Sequence, residues 1–298
     1  MSLQVLTYAS TQNLVALATV KLRLGIDDTS QDALLTDIIK GASDAITGYV
    51  GRPFSRQTYL ETLSGRSSPY YVGTGYAMGR STLASEADDR RLHLSCYPVD
   101  PDLVTLTIDF GAGATTETDF VVENPAVGTL FRIYGWPQSY YQPRLPGARA
   151  GENIAVTYTA GFVLPDQVFT WAGTGLSLAL GQWVRPTSPA LTPLLFECTT
   201  AGAVSGSEPT WPTTTGGGAI SLGGASVTPR QARELPARIA DLCYLEVLSR
   251  YHRRAMMPGL ASQSGAGFSQ TYSQASANTD ICAAVEEGLT RMRDLLVA

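Results

Sequence analysis

The stretch LGIDDTSQDALLTDIIKGASDAITGYVGRPF, Leu24 to Phe54, carries the strongest periodic signal in the sequence and fixes how its N-terminal part can fold. Leu34, Leu35, Ile38, Ile39, Ala42, Ile46, Tyr49 and Val50 recur at three- and four-residue spacing, which a helix gathers into one wide apolar stripe. Thr29 or Ser30 offers a hydroxyl N-cap, Asp32 puts a negative charge in the first turn, and Gly51 with Pro53 ends the helix. Upstream, NLVALATVKLRLGI predicts a shorter helix with Leu14, Leu17, Val20 and Leu24 on one side; GIDD is the turn between them. A short turn between two amphipathic helices makes an antiparallel pair that must bury its stripes on a further element. The polar face of the long helix carries nothing that could do chemistry.

Further along, the period changes. SGRSSPYYVGTGYAMGRSTLASEADDRR mixes Gly, Ser and Tyr without period and reads as a long excursion. In LVTLTIDF, Val104, Leu106, Ile108 and Phe110 alternate with polar residues, and NIAVTYTAGF repeats the pattern with Ile154, Val156 and Tyr158. LHLSCYPV and GTLFRIYG are shorter candidates, so residues 92–162 predict a compact antiparallel β domain. Residues 164–233 are rich in Pro, Gly and Trp and almost free of charge, and are bracketed by VLPDQV and ELPARI. That is the pattern of a small β module inserted into a pre-existing connection.

Helices return at the end. In ELPARIADLCYLEVLSRYHRRAMMPG, Ile239, Leu242, Cys243, Val247 and Tyr251 form a stripe behind Pro236 in the first turn. Residues 259–279 then carry no charge and read as a polar connector. TDICAAVEEGLTRMRDLLV places Ile281, Val285, Leu289, Met292 and Leu296 on one face, with Thr279 as N-cap. This last helix either folds back on its own chain or docks on a partner as a tethered arm. The fold class is α+β: a helical bundle of N- and C-terminal helices (1–60 and 234–298), a loop-rich antiparallel β domain (61–163) and the inserted β module (164–233).

Composition narrows the function. At 298 residues with a net charge of −5, the chain lacks the Lys/Arg surplus of a general nucleic-acid binder. No stretch approaches a membrane span, and MSLQVLTYASTQ lacks a charged n-region and an apolar h-region, which predicts a cytoplasmic protein. Cys96, Cys198, Cys243 and Cys282 are dispersed with no C-x-x-C, so buried free thiols are expected instead of a disulfide framework or a metal site. His93 alternates outward from a strand, and His252 lies at a helix C-terminus, where cations complement the dipole. GAVSG is not a nucleophile elbow, and there is no Walker A motif, dinucleotide fingerprint or EF-hand loop. The acid pairs in IDD, ADD and VEE read as solvated surface. No enzyme, catalytic residue, metal or cofactor is expected. RYHRR (Arg250, Arg253 and Arg254) caps a helix end or meets a partner's acidic patch. Trp171, Trp183 and Trp211 are either the core of the insert or a sugar-stacking platform.

LATVKLRLGIDDTSQDALLTDIIKGASDAITGYVGRPF closely resembles the opening of tailed-phage head–tail connector proteins, also called adaptor or head-completion proteins. The family pattern is matched by Val20, Lys21, Leu24, Ile26, Asp32, Leu35, Ile39, Tyr49, Gly51 and Arg52. IAVTYTAGF followed by the LP..I helix is similar to the family as well, and FECTTAGAVSGSEPTWPTT resembles a small module of phage structural proteins. The resemblance implies a structural virion protein: a homo-oligomeric ring of about twelve copies beneath the portal. It would extend the DNA channel without binding DNA specifically, and offer a platform to a tail or tail-completion protein. It implies no membrane partner, a place in the virion neck, and assembly in the host cytoplasm. Arg250, Arg253, Arg254, Arg291 and Arg293 are then candidates for a portal or subunit interface. The alternative is a surface-binding module of carbohydrate type, with the Trp-rich insert as its active part.

Overall fold

A computed structural model describes residues 2–63, 90–109, 113–136, 154–171, 175–187, 194–215, 217–253, 262–265, 268–271 and 281–297. The 64–89 part of the predicted excursion, most of the 259–279 connector, Phe110, Thr279 and Arg254 lie outside them. The described residues form a mixed α/β chain with four helices and several antiparallel sheets. The helices are α1 (Leu17–Leu24), α2 (Asp32–Val50), α3 (Ala237–Arg253) and α4 (Ala283–Val297). None of them is long and apolar enough to cross a membrane. The chain divides into two compact units, one of residues 1–9, 56–161 and 230–232, the other of residues 10–55, 162–229 and 233–298.

The first unit is built on strand alternation. Strands β1 (Ser2–Thr7), β2 (Gln57–Leu63), β4 (Val99–Asp109), β5 (Ala114–Glu117) and β8 (Ile154–Ala160) form an antiparallel sheet in the order β1-β2-β8-β4-β5. As the alternation requires, Leu106, Ile108, Ile154, Val156 and Tyr158 are buried. Strands β3 (Arg91–His93), β6 (Val121–Asn124) and β7 (Thr129–Phe131) make a three-stranded sheet, from which His93 points outward as expected. The strands β1 and β2 were not foreseen. Gln57, Tyr59, Glu61 and Leu63 all turn inward along β2, so polar residues interrupt the apolar alternation that would announce a strand.

In the second unit the four helices feed one hydrophobic cluster. It unites Val20 of α1, Leu35, Ile39, Ala42 and Ile46 of α2, Ile239, Cys243 and Val247 of α3, and Val285 and Leu289 of α4. Leu34 is the exception to the predicted stripe: it is 42% exposed, on the flank of the helix turned from that cluster. The caps also differ from expectation. Ser30 donates to the Asp28 carboxylate at 2.5 Å instead of capping α2, whose N-cap is Gln31; Asp32 stands in the first turn as expected and also takes the Lys21 ammonium at 2.6 Å. At the other end, Gly51 holds φ at 76°, a left-handed conformation that ends the helix at little cost to glycine.

The region after β8 is β-rich. Strands β9 (Phe162–Val163) and β17 (Arg233–Glu234) pair in parallel, so the two ends of the Trp-rich region meet, and Leu235 N–H closes on Val163 C=O. Between them, β10 (Val168–Thr170), β12 (Trp183–Arg185), β13 (Leu195–Thr200), β15 (Ile220–Ser221) and β16 (Ser226–Arg230) form a sheet ordered β10-β12-β13-β16-β15. The pair β11 (Ser177–Leu178) and β14 (Gly202–Ala203) lies beside it in the sequence. Its own core includes Trp171, Val184, Phe196, Cys198 and Val227. Between α3 and α4 the chain makes a hairpin of β18 (Ser262–Gly265) and β19 (Phe268–Thr271).

Candidate functional site

Where α4 meets α3, a charged residue sits inside an apolar stripe. Glu246 falls on the same face of α3 as Leu242, Cys243 and Val247 and is fully buried. Its carboxylate accepts from the Arg250 guanidinium Nε at 2.8 Å, one helical turn on, and from the Cys282 backbone N–H at 2.9 Å. Cys282 C=O in turn accepts from Val285 and Glu286 N–H and so opens α4. A carboxylate is thereby placed at the positive end of the α4 dipole, where charge and dipole attract. Arg250 keeps the buried charge from standing alone. Gly288 lets the helices approach closely: a β-carbon there would come within 2.6 Å of the Leu242 side chain.

The C-terminal helix therefore belongs to its own chain. Ile281, Val285 and Leu289 are buried, and Tyr49 of α2 and Thr290 of α4 share a hydrogen bond of 2.8 Å. The tethered-arm expectation is corrected by this packing, because Ile281, Val285 and Leu289, the described part of the stripe that would have sought a partner, are buried in the cluster with α2 and α3. The Cys282 thiol is half-buried and pushed up by that burial, while the deeper Cys243 thiol, beside Ser43, is pushed up to about 11.

Of the arginines singled out from the sequence, Arg250 is committed to Glu246. Arg253 donates to Ser249 Oγ at 2.7 Å, and Arg291 pairs with Glu287 on the exposed side of α4. Arg254 and the Arg293 side chain lie outside what the structure describes. The three Trp residues do not form an open platform. Trp171 and Trp183 are buried, and the half-buried Trp211 packs at a tilt against Phe196 with ring centroids 4.3 Å apart while its N–H donates to Glu208. Among the described residues no cluster of His, Cys, Asp and Glu could hold a metal ion.

A second buried carboxylate escaped the sequence reading. Glu61 of β2 accepts from Tyr158 Oη and Ser95 Oγ, each at 2.6 Å, and from Ser95 N–H at 3.0 Å. The arrangement locks β2, β8 and the 94–97 segment together, and burial beside Glu61 holds the Tyr158 phenol far above its ordinary value. Leu22, Leu34 and Leu245 on the helices, Tyr134 and Ile133 after β7, and Leu180 in the β-rich region are exposed.

The residues of the N-terminal helix pair have counterparts elsewhere. Residues 15–71 match the model of the phage gp6-like head-tail connector protein family. No curated protein matches the chain. Among solved structures, a chain from the neck of an empty GTA particle computed with C6 symmetry is similar, at 13% identity over 89% of this chain and 90% of that chain, with a TM-score of 0.42.

Proposed function

We infer that the chain is a head–tail connector of a tailed-phage-type particle, a structural protein of the neck without catalytic activity. The match of residues 15–71 to the connector family carries this reading. Within the matched stretch, Val20, Leu35 and Ile39 are buried in the helical cluster, Lys21 and Asp32 pair with each other, and Gly51 stops α2. The matched stretch thus builds a scaffold, as an assembly protein needs.

In this reading the four helices form a bundle that acts as the rigid core of one subunit. About twelve subunits close into a ring beneath the portal through heterologous contacts, one face of a subunit meeting a different face of the next. The ring extends the DNA channel and presents a platform to the tail or tail-completion protein, and it is assembled in the host cytoplasm. The exposed apolar residues and Arg253, Arg254, Arg291 and Arg293 are the proposed contacts to portal or neighbour. A net charge of −5 suits a channel component, since an acidic lining does not retain phosphates as a basic one would. The burial of Trp171 and Trp183 removes the support for carbohydrate stacking. Particles assembled without this protein test the reading: DNA-filled heads without tails are expected, and normal tailed particles would refute it.

A further inference from the structure

The β18–β19 hairpin stands apart in composition and in pairing. It lies in the stretch 259–279, which has no charged residue. Its strands pair with each other, Ser262 opposite Thr271 through Gly265 opposite Phe268, and among the described residues with no other strand. A lone two-stranded hairpin is marginally stable in water. Edge strands that stay exposed are usually blunted by charge or proline, and neither edge here has either.

Resting on the connector reading, we propose that this hairpin pairs with the same hairpin of the neighbouring copies, so that a ring of subunits carries one closed β-barrel. The strand bounds leave a two-residue connection, Ala266–Gly267. In a hairpin of that loop length the flanking pair, Gly265 and Phe268, exchanges both hydrogen bonds. Ser264 and Ser269, the next pair, then turn their backbone N–H and C=O groups away from each other and toward whatever lies beyond each edge. Rotation about a ring axis brings β19 of one copy beside β18 of the next in antiparallel sense, the relation the hairpin already uses. Closure leaves no edge, which removes the aggregation hazard of an uncharged strand. For about twelve copies, strands spaced about 4.8 Å apart give an opening of roughly 37 Å before tilt, and tilt widens it. Its wall, drawn from a charge-free segment, neither holds phosphate by charge nor repels it.

Cross-linking of full-length chains tests the pairing, in a Cys282→Ser background because the other three cysteines are buried. Ser264→Cys and Ser269→Cys variants are assembled separately and as an equal mixture, weighed as particles, and treated with a short bis-maleimide. The mixture is expected to yield cross-linked dimers that neither variant yields alone, because each β18 edge meets a β19 edge. Rings of parental mass that give no cross-link in the mixture, or that cross-link equally with one variant alone, overturn the pairing. If the parent chain itself forms no ring, with or without portal protein, the connector reading fails first and the pairing falls with it.

Discussion

Two carboxylates, Glu246 and Glu61, show how much of the second-order structure rests on single residues. Each sits where its element's period calls for an apolar side chain, and each ties together segments far apart in the sequence. Replacing Glu246 by Ala would strip the α4 N-terminus of its acceptor and leave Arg250 without its buried partner. A loss of about 3 kcal/mol in unfolding free energy is expected, at the low end for broken buried pairs because Arg250 is 28% exposed. Faster hydrogen exchange over residues 283–289 would accompany it, and an unchanged denaturant midpoint would contradict the assignment. The thiols give a second check. Cys96, Cys198 and Cys243 are buried, so thiol reagents should label Cys282 alone in the native protein and all four cysteines after unfolding. Because folding raises the Cys243 thiol from its ordinary 9.0 to about 11, the native state holds that proton more tightly than the unfolded chain. Its contribution is complete below pH 9 and is lost as pH rises through 11, up to ~3 kcal/mol.

At the scale of elements, periodicity was a good guide where polarity followed burial. The α2 stripe apart from Leu34, the α3 stripe and the alternation in β4 and β8 turn the residues their spacing indicates wholly or partly inward. It failed where burial is polar. Glu61 and Gln57 hid β2, without which SLQVLT had no partner to mark it as β1, and Glu246 lies buried in the α3 stripe although charge gave no sign of it. The α2 cap was misread because Ser30 spends its hydroxyl on Asp28. The β18–β19 hairpin had no apolar alternation at all, so composition reported only a connector. The β9–β17 pairing brings a further prediction. Replacing residues 165–229 by a Gly/Ser linker should leave the helices folded, since loop closure depends only weakly on length. The linker must run back along two short parallel strands and forgo the Arg185–Glu234 pair and the Gln167–Ser10 hydrogen bond. Retained helical circular dichroism and cooperative melting are expected; loss of soluble protein would place the β-rich region in the folding core.

For the molecule as a whole, one motif of the sequence points to the proposed class of function, and the pairing of side chains comes from the structure. The helix pair resembles a connector in its sequence alone, whereas a sequence does not reveal which surface arginines are paired within the chain. Arg250 and Arg291 are paired within the chain, so in the proposed ring the contacts would fall to apolar side chains such as Leu22 and Leu245 and to the uncharged hairpin. Assembly by such surfaces should be only weakly sensitive to salt, unlike association through exposed ion pairs. The most direct test of the connector account is the mass of the purified chain in solution, measured with and without portal protein at two ionic strengths. A closed ring of about twelve copies on the portal, persisting at high salt, is predicted. A chain that stays monomeric and leaves the portal unbound under all four conditions would contradict it.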